Sequence, residues 1–286
     1  MTSVADSEVL EALKCLVVKV AREELLPRQT GGDIHYKADG SVVTEADLAI
    51  QSRLAEELRG LLPDIPLLGE EMEASDQLSL LTQAREGLWC LDPLDGTNNF
   101  ATGLPVYSIS IALLRQGVPW LGLVYDPCRG ELFSALKGQG AWLNDRPLGV
   151  QSFGRPLRRA LAVIDFKRLP KDLARDLISQ PPTHSWRYLG SGAIEWCWLA
   201  AGRCHVYLHG QQKLWDFAAG ALVFMETGGV AMTLEGRPLF PATRLSASVV
   251  AAADAALFEA WTRALGPSGS RLGLSPFPSG QWAFRL

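Results

Sequence analysis

The sequence predicts an α/β protein, with an antiparallel meander sheet in its first half and a mixed α/β second half. Three patterns carry that expectation. Residues 4–26 and 44–62 repeat apolar positions at helical spacing. Residues 107–113, 120–125 and 131–135 are strand-like runs separated by turn signals. Residues 161–265 alternate strand-like and helix-like runs.

In chain order, residues 4–26 place Leu10, Leu13, Val17, Val20 and Leu25 on one face of an amphipathic helix. Its polar face mixes acids and bases, which favours packing on a core over attachment to a membrane. Residues 27–43 are polar, with Gly31-Gly32 and Asp39-Gly40-Ser41, and read as a mobile loop. A second helix opens at Thr44, with Leu48, Leu54, Leu58 and Leu61 inward. Thr44 and Asp47 have the spacing of a capping box, with Asp for the usual Glu. A first-turn carboxylate at Asp47 could equally orient a water.

Leu67-Leu68-Gly69 is a short apolar segment ended by Glu70 and Glu71, and residues 73–85 read as an exposed polar linker. The three strands of residues 107–135 follow, and Gly138 to Pro147 continues their antiparallel pattern. The second half reads as strand 161–166, helix 171–178, strand 186–189, helix 193–201 and strand 204–208. A small-residue helix from Leu214 to Thr227 follows, then strands 230–234 and 247–252 and a helix over 254–265. A boundary near residues 149–156 would divide a lobe over 1–150 from one over 151–266, with 267–286 a loose tail rich in Pro, Gly and Ser.

With 286 residues, 48% of them hydrophobic, the chain can bury a sizeable core. A net charge of −4 argues against a nucleic-acid binder, which needs a basic face. Five cysteines without CxxC spacing read as buried small hydrophobes, not as a disulfide frame or zinc site. No signal-peptide pattern and no apolar run of membrane-spanning length is visible, so the expectation is a cytoplasmic protein.

The chemistry centres on Leu91-Asp92-Pro93-Leu94-Asp95-Gly96-Thr97-Asn98-Asn99-Phe100. Asp92 and Asp95 stand at the end of an apolar strand and can face one pocket across a single turn. Oxygen ligands of this kind suit a hard cation such as Mg²⁺. Gly96 lets the backbone approach a ligand closely. A helix beginning near Gly96-Thr97 would point its free N–H groups at an anion. Asp216, before an Ala-rich helix, reads alone as an N-cap. Glu70 and Glu71 read alone as a solvated pair.

Taken together, Gly69-Glu70-Glu71, Asp92-Pro-Leu-Asp95-Gly-Thr97 and Trp215-Asp216-x-Ala-Ala-Gly220 resemble the motifs of the inositol monophosphatase family of metal-dependent, lithium-sensitive phosphatases. The likeness runs from Asp47 to about Ala253. It implies a layered α-β-α-β-α sandwich and hydrolysis of a phosphate monoester by a metal-activated water. Glu70, Asp92 and the Leu94 carbonyl would hold one Mg²⁺, and Asp92, Asp95 and Asp216 a second, with a third, weaker ion near Glu70. The Gly96 and Thr97 amides would bind the phosphate, and Asp47 and Thr97 would orient the water. A homodimer acting on a small phosphorylated substrate, with no nucleic acid or membrane partner, completes the implication.

The sequence departs from that family around the substrate. The inositol enzymes carry a sugar-contacting glutamate seven residues before the third-motif aspartate, where this chain has His209, with Lys213 nearby. Gly192 stands where alanine is frequent beside the substrate. With Asp95, Gly96, Thr97 and Asp216, these residues form the expected substrate contacts. They point to a different or more anionic leaving group. Inositol phosphate or a related sugar phosphate ranks first, then fructose 1,6-bisphosphate, then the 3′-phosphate of 3′-phosphoadenosine 5′-phosphate. A non-catalytic regulatory member would have lost a metal ligand, and none is lost.

Overall fold

The structure, a computed structural model, describes residues 4–28, 34–36, 42–84, 86–149 and 152–266. The first half contains α1 (Val4–Val20), β1 (Ile34–Tyr36), β2 (Val42–Thr44), α2 (Glu45–Leu61), β3 (Leu67–Gly69), α3 (Ala74–Gln83), β4 (Leu88–Asp95) and α4 (Thr97–Ala101). It continues with β5 (Ser108–Arg115), β6 (Val118–Asp126), β7 (Glu131–Leu136), β8 (Gly140–Leu143) and β9 (Arg146–Leu148). The second half contains β10 (Leu161–Asp165), α5 (Lys171–Ser179), β11 (Ser185–Arg187), α6 (Gly192–Ala200), β12 (Val206–Lys213), α7 (Leu214–Glu226), β13 (Val230–Met232), β14 (Ser246–Ala252) and α8 (Ala255–Ala264).

Strands β3 to β9 form one sheet in sequence order, and a second sheet has the order β11-β10-β12-β14-β13. Because side chains alternate along a strand, each sheet presents two apolar faces. Trp89, Leu91, Ile109, Ile111 and Leu123 pack with Leu13 and Val17 of α1 and Ile50 and Leu54 of α2. Their neighbours Cys90, Ala112 and Val124 face the other way, onto Trp196 and Leu199 of α6 and Leu222 and Phe224 of α7. The same cluster takes Tyr207, Val249 and Ala251 from the second sheet. The outer face of that sheet, with Ile164, Leu208 and Val250, is covered by Leu173 of α5 and Phe258 and Trp261 of α8. The layers therefore run helix, sheet, helix, sheet, helix, as expected. Gly122 lets α7 sit close on the first sheet, since a Cβ there would lie 2.8 Å from the Ala219 carbonyl oxygen. No helix among the described residues is long and apolar enough to cross a membrane.

Several expectations need correction. Residues 73–85 contain α3 rather than an exposed linker. Its Leu80 and Leu81 pack on the central core, and buried Gln77 donates to the carbonyls of Gly69 and Glu70 at 2.8 and 3.1 Å. The first sheet is not purely a meander: β3 runs parallel to β4, joined through α3, and only from β4 onward are neighbours antiparallel. Leu48 is exposed, and α2 buries Ala46 and Ile50 together with the expected Leu54 and Leu58. Within the expected loop of residues 27–43, β1 pairs antiparallel with β2, which extends to Thr44. The strand expected over 204–208 extends to Lys213, so His209 is a strand residue. Cys90, Cys197 and Cys204 are buried, whereas Cys15 and Cys128 are exposed. The tail expected over 267–286 lies outside the described residues.

Gln77→Ala removes one buried and one part-buried hydrogen bond and leaves the Gly69 carbonyl without that donor. It should lower unfolding stability by about 1–3 kcal/mol in urea titration. An unchanged midpoint would show that α3 is not fastened through this amide.

Candidate active site

In a regular strand, residues three apart point to opposite faces. Asp92 pairs with Ser110 and Asp95 with Ser108, so three steps on β4 match two on β5, which is a bulge. The bulge contains Pro93, which has no N–H to contribute to the ladder. It resets the alternation and turns both carboxylates toward α6 and α7. Parallel pairing of Gly69 with Leu91 then brings Glu70 level with Asp92, and the Glu70 amide donates to the Leu91 carbonyl at 3.2 Å.

The start of α6 closes around Asp95. Ser191 Oγ and the Ala193 amide donate to Asp95 Oδ2 at 2.7 Å each, and the Gly192 amide to Oδ1 at 3.2 Å. The preceding loop is fastened from behind. Buried Glu195 accepts from the amides of Leu189 (2.8 Å) and Gly190 (3.3 Å) and from the Tyr207 hydroxyl (3.0 Å). Asn99 donates to the Leu189 and Val106 carbonyls at 2.8 and 2.7 Å, tying α4 to the same loop. Burial raises the Glu195 carboxyl to about 7 despite those donors.

The third acid enters at the start of α7, where Asp216 Oδ2 accepts from the Lys213 amide at 3.2 Å. The preceding β12 carries a second bulge. His209 pairs with Val249 and Gln212 with Ala247, so both His209 and Gln212 turn inward. Gln212 donates to the Tyr207 hydroxyl and accepts from Trp196 Nε1, each at 3.1 Å. A Cβ on Gly192 would overlap the Gln212 side-chain nitrogen, so a larger residue at that point of the wall would require the Gln212 amide to move.

Carboxylate oxygens of Asp92, Asp95 and Asp216 lie within 4.8 Å of one another. Asp92 and Asp216 are pushed well up, first by burial and then by neighbouring acids including Glu70 and Asp95. Asp95 is raised to about 6 by burial, against the donors of α6. Asp92 and Asp95 are buried and Asp216 half-buried, and an all-oxygen set of mutually repelling acids fits a hard divalent cation such as Mg²⁺. Glu70 lines the same cavity, outside this tightest group.

Asp47 and Thr97 also meet. Thr44 donates to Asp47 Oδ2 through its amide at 2.7 Å and its hydroxyl at 2.6 Å, and the Asp47 amide, reaching back to the Thr44 side chain, completes the capping box. Thr97 Oγ1 lies 3.1 Å from Asp47 Oδ1 and 2.9 Å from the Leu94 carbonyl oxygen, both acceptors. Burial raises the Asp47 carboxyl, and the Thr44 and Thr97 bonds oppose that rise. Gly96 caps α4 at φ 95°, and a Cβ there would lie 2.9 Å from the Val106 carbonyl oxygen.

The cavity, of about 350 Å³, brings together Glu70, Asp92, Leu94, Asp95, Gly96, Thr97, Gly192, His209 and Asp216, every expected site residue except Asp47, which reaches it through Thr97. His209 is buried in the wall, and burial lowers its ring to about 3, so it is neutral. Its Nδ1 accepts from the Gln211 amide at 3.2 Å, and its Nε2 faces Asp165 Oδ2 at 3.3 Å. His205 is structural, its Nδ1 accepting from the Leu161 amide at 2.9 Å. Sequence reasoning missed Arg168 and Tyr188 in the wall. Neither carries a local signal, because the second sheet alone brings their segments here.

The inositol monophosphatase family profile matches residues 6–268. The chain is 36% identical over 206 residues to the Nus factor SuhB of Pasteurella multocida, covering 70% of this chain and 74% of that one. It is 33% identical over 242 residues to inositol monophosphatase 1 of Solanum lycopersicum, covering 80% and 84%. Among solved structures, the IMPase of Thermotoga maritima superposes with a TM-score of 0.79 at 25% identity, covering 93% of this chain and all of that one.

A carboxyl raised in the folded state binds its proton more tightly there than in the unfolded chain. The stability it contributes is present at low pH and lost as pH rises through the folded value. For Asp95 that interval runs from 3.8 to about 6. The rise in melting temperature caused by Mg²⁺ over EDTA should therefore grow between pH 4.5 and 6.5, as the cation replaces protons. A Mg²⁺ effect that is flat or shrinking across that range would contradict the repulsive cluster.

Proposed function

The chain belongs to the inositol monophosphatase family and is a phosphatase, and from that premise we propose that it hydrolyses a small phosphate monoester of the inositol phosphate or sugar phosphate type. The single observation that carries the reading is the cluster of Asp92, Asp95 and Asp216, two buried and one half-buried, whose mutual repulsion a proton or a cation relieves. In this reading Glu70, Asp92 and the Leu94 carbonyl would hold one Mg²⁺, and Asp92, Asp95 and Asp216 would hold a second, with a third near Glu70. When bound, such ions acidify a water and neutralise the phosphate charge.

The chain's own residues do the rest. The Gly96 and Thr97 amides, at the start of α4, bind phosphate oxygens. Thr97 Oγ1 gives its proton to an acceptor on its protein side, the Leu94 carbonyl or Asp47, so its lone pairs are left to accept from the attacking water. Asp47, fixed by both Thr44 donors, holds Thr97 in that orientation. The helix starts at Gly192 and Leu214 support negative charge at Asp95 and Asp216 when the proton is absent.

The leaving group meets a wall unlike a bare polyol site. His209 is neutral with both ring nitrogens turned to protein atoms. Arg168 and Lys213 supply the positive charge of the cavity. That pair favours, as a second reading, a leaving group with its own anion, such as fructose 1,6-bisphosphate or a 3′-phosphorylated nucleotide. Lithium inhibition, dimeric assembly and a cytoplasmic setting belong to the same reading.

Phosphate release should require Mg²⁺ and stop in excess EDTA, measured across inositol 1-phosphate, fructose 1,6-bisphosphate and 3′-phosphoadenosine 5′-phosphate. Asp216→Asn should cut turnover by at least about 100-fold. It should hold or raise the melting temperature in EDTA, because one of the repelling charges is gone. Full turnover in EDTA, or a fully active Asp216→Asn protein, would sink the assignment.

A further inference from the structure

A second cavity, of about 380 Å³, opens beside the catalytic one, and Arg168 lines both. Its wall comes from the β12 bulge, the start of β14 and the segment between β13 and β14. The two cavities differ in sign. The catalytic one carries Glu70, Asp92, Asp95 and Asp216 against Arg168 and Lys213. The second carries Arg168, Arg237 and Arg244 against Glu235 alone.

The arginines keep donors to spare. A guanidinium has five N–H groups. Arg168 places Nη1 on the Gln211 carbonyl at 3.0 Å, and its Nε lies 3.5 Å from Asp165 Oδ2. Arg237 meets Glu235 through Nη2 at 3.4 Å. Arg244 is exposed and makes no ion pair among the described residues. The partition is held in place by close packing: a Cβ on Gly210 would overlap the Arg168 carbonyl oxygen. Gln211 Nε2 and Ser246 Oγ, 3.3 Å apart, join the bulge to β14 across the floor.

We propose that this second cavity binds an oxyanion, a phosphate or carboxylate group, through Arg168, Arg237 and Arg244. Forked guanidinium donors match the paired oxygens of such groups. The oxyanion is either a distal group of the substrate, reaching past Arg168, or a free anion that touches Arg168 from the side away from the acids. Only the substrate arm rests on the phosphatase reading.

The test is calorimetric titration of the protein with inorganic phosphate in EDTA. In EDTA the catalytic cavity has no metal to hold phosphate, and comparison with Arg244→Gln, which alters only the second cavity, assigns the binding. One phosphate per chain should bind, and Arg244→Gln should weaken it at least tenfold. Absence of binding to the unaltered protein, or equal binding by Arg244→Gln, would overturn the proposal. With Mg²⁺ present, Arg244→Gln should leave kcat and KM for inositol 1-phosphate unchanged, since Arg244 lies outside the catalytic cavity. A tenfold rise in KM for fructose 1,6-bisphosphate alone would assign the oxyanion to the substrate. Unchanged KM for both, with phosphate binding lost, would assign it to a free anion. Failure of Mg²⁺-dependent hydrolysis in the unaltered protein would strike the catalytic reading and leave the phosphate titration standing.

Discussion

Three carboxylates gathered within 4.8 Å of one another, two of them buried and the third half-buried on the wall of a cavity, set the terms for the rest of this molecule. Two unit charges about 4 Å apart repel by about 4 kcal/mol at an effective dielectric of 20. A fold that gathers such groups must offset that repulsion with donors, dipoles or a cation. This one offers several at once. Asp95 takes three donors from the start of α6, and Asp216 takes one at the start of α7. The helix N-termini add partial positive charge where the acids stand. What remains unbalanced is negative charge, the feature on which the proposed cation site rests.

The two sheets reach this point by the same device. A bulge in β4 puts Asp92 and Asp95 on one face, and a bulge in β12 does so for His209 and Gln212. Each adds one residue, and each is followed by a helix whose first turn faces the cavity: α4 after β4, α7 after β12. Between them, α6 presents its own start from the layer that both sheets share. A strand that reverses its alternation at its end can bury one face along its length and still aim its last side chains into a site.

Around the acids the structure separates charge by sign. Asp165 lies between His209 and Arg168, with Oδ2 3.3 Å from the ring and 3.5 Å from the guanidinium. Burial keeps the histidine neutral, so the positive charge on that side of the cavity is carried by Arg168 and Lys213 rather than by the residue that replaces the expected glutamate. Arg168 faces both the acidic cavity and the basic one beside it. It is placed there by the missing side chain of Gly210, a backbone contact unrelated to catalysis.

The sequence by itself determined the fold class and the acids of the site. Strand alternation and helical spacing are local properties, and a long motif such as Asp92 to Phe100 keeps its meaning wherever the chain carries it. Even there the reason differed, since a turn was expected to align Asp92 with Asp95 and a bulge does so. The polar run of residues 73–85 concealed α3, because the apolar side of that helix is narrow and its anchor is the amide of Gln77. Only the tertiary structure decided what surrounds the acids. Glu195, Tyr207 and Gln212 form one hydrogen-bonded chain behind the site. Arg168 and Tyr188 enter the wall because β10 lies beside β12, and β11 beside β10, in the second sheet. Pairing between segments distant in sequence leaves no periodic mark on either one, so the partners of the clustered acids become visible only when the two sheets are packed.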